Sequence, residues 1–154
     1  MIQLRHTRSS NQIAAAMTIH NTVESEEFQT ARRFIRDELP IRLQDDAFKR
    51  ALGTSANPVA RPMIFVGNYY EEIGIFVKYG LVDKNIACEM WCTEVLEDWK
   101  RMAPAIALLR QRGRSFGWGN FEYMVALCEA WVKRYPHGKF PKGRRPPNEN
   151  RASD

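Results

Sequence analysis

Six apolar residues, Trp91, Val95, Trp99, Met102, Ile106 and Leu109, recur at intervals of four, four, three, four and three. Only an α-helix gathers residues at that spacing onto one face. The stripe spans five turns, so one long helix must be a principal support of whatever this chain folds into. Pro104 lies inside it. A proline there lacks the N–H that would bond the Lys100 carbonyl, and its ring presses on that carbonyl. The helix is therefore expected to kink near Lys100 or to split in two.

The same period governs the rest of the chain. Ile13, Met17 and Val23 mark a helix over residues 11–22. Ser25 has the character of an N-cap, and Glu26 and Glu27 suit the positive end of a helix dipole. Phe28, Ala31, Phe34, Ile35 and Leu39 form the next stripe, with Pro40 placed to end or bend it. A short helix is expected over 45–52, stopped by Gly53, and a loop over 54–61. Phe65, Tyr69, Ile73, Phe76 and Val77 mark a mostly buried helix over 62–79, which Gly80 ends. Asp83 is the natural cap of the long helix that follows. A glycine-bearing turn over 113–119 leads to a last helix, capped by Asn120, with Phe121, Met124, Val125, Cys128, Trp131 and Val132 inward. No segment alternates at period two for long enough to make a strand. The expected architecture is all-α: a compact bundle of five to six helices round a long antiparallel hairpin. The expected organisation is a polar arm over 1–10, one helical domain over 11–135 and a flexible basic tail over 136–154.

Charge separates body from tail. The last 22 residues hold seven cations against Glu149 and Asp154, which is the whole formal excess of +5. The preceding 132 residues balance, with 16 charges of each sign. Any nucleic-acid affinity should therefore reside in the tail, where Lys139, Lys142, Arg144 and Arg145 could contact phosphates, and should fade with salt. Three cysteines are too few and too odd for a secreted disulfide framework. No apolar run reaches 18 residues, so no membrane span is expected and a cytoplasmic setting is the default.

Few residue groups suggest chemistry. Cys88 and Cys92 share a helix face, and Cys128 could join them, but a structural zinc site needs four ligands. His6 and His137 fall in the arms, and the short Cys-x-x-Cys spacing is missing. A buried core role is expected, with no metal and no cofactor. Gly113 to Gly119 lacks the Lys-Ser/Thr ending of a phosphate loop. It is read instead as a loop offering Arg114, Phe116 and Trp118 for contacts. The most conspicuous polar group is Asn68, Glu71 and Glu72, set in an otherwise apolar helix. Adjacent acids point about 100° apart on a helix and cannot share a proton. The expectation is an internal network in which Trp99 or Arg110 satisfies a partly buried acid.

Several segments together resemble a known family. They are Asn68-Tyr69-Tyr70-Glu71-Glu72-Ile73-Gly74, Val77-Lys78-Tyr79-Gly80-Leu81-Val82-Asp83, Val95 to Trp99, Arg110, and Asn120-Phe121-Glu122-Tyr123. Over roughly residues 65–135 the chain is similar to the bacterial helical family catalogued as domain-of-unknown-function family 4760. The resemblance implies a helical fold and a bacterial or phage-borne origin, and supplies no mechanism. Members often carry an N-terminal membrane segment, and nothing before Asn11 has that character here. The shared pattern is consistent with a hairpin of residues 68–80 and 83–110, with Gly74 allowing another helix close. The functional expectation is a non-enzymatic protein-interaction module. Its expected partner is another protein or a second copy, and the expected setting is a phage- or prophage-borne protein that binds and modulates a host complex. Two alternatives stand beside it: a nucleic-acid-binding accessory acting through the tail, and a ligand binder or enzyme using Asn68, Glu71 and Glu72.

Overall fold

The computed structural model describes residues 14, 17, 19, 21–52, 58–111 and 117–139, and every regular element among them is helical. Residues 14, 17, 19 and 21–23 belong to helix. Ser25 then caps α1, Glu26–Arg33, its hydroxyl accepting from the Phe28 N–H at 3.3 Å. The chain does not stop at Pro40. A π-helical segment, Phe34–Glu38, leads into α2, Leu39–Arg42. Pro40 cannot donate to the Arg36 carbonyl and crowds it. The wider turn, in which the Leu39 N–H bonds the Phe34 carbonyl, accommodates that defect without ending the helix.

The short α3, Asp46–Leu52, starts where the Asp45 carboxylate accepts the Ala47 N–H at 2.8 Å. Gly53, its expected stop, lies outside the described residues, as do 54–57 of the expected loop. A single 3₁₀ turn, Pro58–Ala60, leads into α4, Arg61–Lys78, with Pro62 in the first turn where its missing N–H costs nothing. Gly80 closes α4 at φ 71°, a left-handed conformation that glycine adopts without strain. Leu81 N–H reaches the Phe76 carbonyl at 2.8 Å and Gly80 N–H the Val77 carbonyl at 3.1 Å, a Schellman closure. Asp83 takes the N–H groups of Asn85 and Ile86 at 2.8 and 3.2 Å and so starts α5, Lys84–Gln111.

α5 is one continuous helix through Pro104. The expected split does not occur, because Pro104 and Lys100 both face solvent. The carbonyl left without its partner can bond water there. α6, Gly119–Arg134, completes the bundle. It packs on both α4 and α5, while α1 covers the other flank of α4. The core joins Phe28 and Ile35 to Tyr70 and Ile73 of α4, Met102 of α5 and Phe121 of α6. Its aromatic contacts are close: Phe28 to Tyr69 at 4.4 Å and Tyr70 stacked on Phe121 at 4.7 Å. The antiparallel hairpin and helical bundle are as the periodicity implies. No described helix is long and apolar enough to cross a membrane.

Candidate functional site

The polar residues of α4 meet the start of α6. Glu71 accepts three hydrogen bonds there: from the Asn120 N–H at 2.9 Å, the Phe121 N–H at 2.9 Å and the Asn120 side-chain amide at 2.7 Å. The first N–H groups of a helix have no intrahelical partner, and Trp118, at the N-cap position, supplies no side-chain acceptor. Glu71 therefore caps α6 from another helix, its charge aligned with the dipole. Asn120, expected to cap α6 itself, lies within its first turn and is one of the groups being capped. One turn earlier, the Asn68 side-chain amide oxygen accepts the Trp118 indole N–H at 3.0 Å.

Two glycines make this approach possible. A Cβ on Gly67 would lie 2.6 Å from the Trp118 ring, and one on Gly74 would lie 2.1 Å from the Asn120 carbonyl oxygen. Both sit on the face of α4 that receives α6. Gly74 thus has the close-approach role its position suggested.

Other expected partners fall elsewhere. Arg110 pairs with Glu122 at 2.7 Å on the surface, twelve residues along the chain, and not with Glu71. Trp99 sets its ring edge-on to Phe121 at 5.0 Å and takes no part in the carboxylate network. Glu72 points to solvent. Trp118 corrects the expectation of an exposed contact loop: it is 2% exposed, held in the slot that Gly67 leaves open. Its companions Arg114 and Phe116 lie outside the described residues. So do Lys142, Arg144 and Arg145 of the tail. Lys139 is exposed, with its ammonium 5.4 Å from the Trp131 ring centre.

A second polar network is buried on the opposite flank of α4. Asp98 of α5 is 2% exposed. Arg32 of α1 grips it through Nε at 2.6 Å and Nη2 at 3.4 Å, and the Tyr70 hydroxyl donates to the same carboxylate at 2.8 Å. Burial, then the adjacent carboxylate, holds the Tyr70 hydroxyl well above the usual tyrosine range. For Arg32, burial pulls the pKa down, but the Asp98 hydrogen bond and surrounding negative charges outweigh it and push it up. This network escaped the sequence reading. Its signal was Asp98 itself, spaced three after Val95 and four before Met102, on the inward stripe.

The cysteines are core residues. Cys88, Cys92 and Cys128 are all buried and free, and the Cys92 thiol reaches the Cys128 carbonyl at 3.5 Å. Among the described residues no group of three or more His, Cys, Asp or Glu is placed to hold a metal.

Since Glu71 serves as a trans cap, its removal tests the site. Glu71→Ala is expected to lower stability by about 2 kcal/mol, the scale of a lost helix cap with buried donors left behind. Glu71→Gln should lose less, because one amide oxygen can still receive the two backbone N–H groups. Urea denaturation ranks them, and equal losses would show that the carboxylate charge matters more than its acceptor geometry.

The family model described as Domain of unknown function (DUF4760) matches residues 1–131. That match extends well to the N-terminal side of the motif-bearing segment. No curated protein and no solved structure matches the chain.

Proposed function

We infer that this chain, which belongs to the DUF4760 family, is a protein-interaction module that docks through the tip of its α4–α5 hairpin. One observation carries this reading: Tyr79 is 73% exposed and Leu81 52%, flanking Gly80 at the turn, with Ile86 and Met90 exposed on the first turns of α5. Isolated exposed apolar residues are ordinary, whereas clustered ones mark contact surfaces. The tip is also rigid, closed by the Gly80 Schellman turn and the Asp83 cap. A preformed apolar tip loses little conformational freedom on docking. The internal polar groups support the same reading. Glu71 and Asn68 are engaged at the start of α6, and Tyr70 of α4 with Asp98 of α5, in roles that hold the frame.

A photo-crosslinking side chain at position 79 is expected to give a discrete adduct in cells, whereas the same group at exposed Ala126 gives none. Leu81→Asp should abolish the adduct with unchanged helicity, since exposed substitutions shift stability by only about 0.5 kcal/mol. The mass of the adduct separates a second copy from a different protein. Equal adducts at both positions, or an adduct indifferent to Leu81→Asp, would remove the hairpin tip as the contact surface.

A further inference from the structure

We propose that the cleft between the α1–π segment and α5 binds a phosphate group. The cleft has a volume of about 80 Å³ and is lined by Arg32, Arg33, Arg36 and Arg101, with Glu97 and Asp98. Four guanidinium groups stand against three carboxylates, Glu97, Asp98 and the Asp37 that pairs with Arg36, which leaves a positive excess of one in a space large enough for several waters, and so for one tetrahedral oxyanion. This site is separate from the hairpin tip.

The groups divide into a fixed base and movable arms. Arg32 is pinned by the buried Asp98, which anchors one guanidinium at the cleft floor. Arg33 spends its side chain on the neutral Thr30 hydroxyl at 3.1 Å. Arg36 holds Asp37, and Arg101 holds Glu97 at 3.3 Å. These last two are surface pairs that water screens, so little opposes their turning to a more strongly charged ligand. Arginine is the side chain whose planar fork matches phosphate oxygens two at a time.

The backbone contributes as well. Arg36 lies in the π-helical segment Phe34–Glu38. π-segments recur at functional sites. Glu97 and Arg101 also border an adjoining groove of about 590 Å³, with Pro40, Leu43, Lys100 and Pro104. The organic part of a phosphate monoester fits there, its phosphate reaching the arginines.

The test is calorimetric titration of the full chain with inorganic phosphate and with phenyl phosphate, at matched ionic strength. The full chain keeps the basic tail, so the comparison rests on variants that leave the tail intact. Saturable binding is expected, at least about tenfold weaker in Arg36→Gln/Arg101→Gln, as expected when charge-assisted hydrogen bonds are removed. The single Arg36→Gln variant, altered at a position 56% exposed, should weaken binding in the same direction. Arg42→Gln, which removes a cation bonded to Glu38 outside the cleft, should bind as the parent does. Tighter binding of phenyl phosphate assigns the groove to an organic phosphate, and equal binding assigns the site to the free ion. Absence of saturable binding, parent-like binding by the double variant, or equal weakening by Arg42→Gln would each overturn the proposal.

Discussion

Arg32→Leu is expected to lower the unfolding free energy by about 3–5 kcal/mol, the usual consequence of stranding one member of a buried ion pair. Arg32 keeps 21% of its side chain exposed, while Asp98 keeps 2%. Removing the arginine therefore leaves the deeper charge with one neutral donor, the Tyr70 hydroxyl. Asp98→Leu should be costly for the converse reason, leaving a guanidinium and a phenol without their acceptor. The triple variant Arg32→Leu/Asp98→Leu/Tyr70→Phe should return to within about 2 kcal/mol of the parent, because a whole network replaced by apolar groups leaves nothing unpaired. Urea denaturation of the set decides the matter. A single Arg32→Leu loss below about 1 kcal/mol would mean that the carboxylate finds water, as exposed pairs do.

The same network has a signature at alkaline pH. Burial and the Asp98 carboxylate raise the Tyr70 pKa in the folded chain. The unfolded tyrosine ionises near its ordinary value of about 10. The stability that a protonated Tyr70 confers is then fully present below that value. It is lost as pH rises above it, since only the unfolded chain gives up the proton. Tyr70→Phe should flatten this decline without abolishing it, because burial also raises the neighbouring Tyr69.

What could be read in advance followed from which interactions are local. Helices over Phe28 to Leu39, Phe65 to Val77 and Trp91 to Leu109 are written in spacing, because each stripe must face a core. Gly80 and Asp83 are local signals too, a left-handed stop and a cap two and three residues from the N–H groups it receives. The polar pairings were harder to assign. Glu71 meets Asn120 and Phe121 across 49 and 50 residues, and Arg32 meets Asp98 across 66. Nothing in either local window chooses among several cations and helix starts. Arg110 is a further case: nothing in its spacing selects Glu122, twelve residues along, over the acids of α4. Pro104 does not split α5, because a proline's effect depends on which side of the helix it occupies. On the solvent side the unpaired carbonyl costs little, and periodicity alone assigned no penalty to either face.

Gly74→Ala is the sharpest test of the α4–α6 contact, because it reverses the normal sign of the substitution. In a helix interior, alanine is ordinarily better than glycine by about 0.5–1 kcal/mol. Here the added methyl would stand 2.1 Å from the Asn120 carbonyl oxygen and 2.6 Å from its carbon, both backbone atoms. Non-bonded heavy atoms of this kind settle at about 3.5–4.0 Å, so the start of α6 must move away from α4. That shift pulls the Asn120 and Phe121 N–H groups off Glu71 and loosens the stack of Phe121 on Tyr70. Overpacking alone costs about 1–3 kcal/mol, and a lost cap adds about 1 more. Set against the alanine gain, a net destabilisation of about 1–3 kcal/mol is therefore expected. Gly67→Ala is the informative comparison. Its methyl would meet the Trp118 ring at 2.6 Å, but a ring can tilt where a backbone cannot. Its loss should be smaller, and it should appear first as altered Trp118 fluorescence when the indole leaves Asn68. Thermal or urea melts that ranked Gly67→Ala above Gly74→Ala, or that found Gly74→Ala stabilising, would show that α6 does not rest on the backbone of α4 at this point. The trans cap by Glu71 would then lose its structural basis, because that carboxylate can reach the start of α6 only while the two helices stay this close.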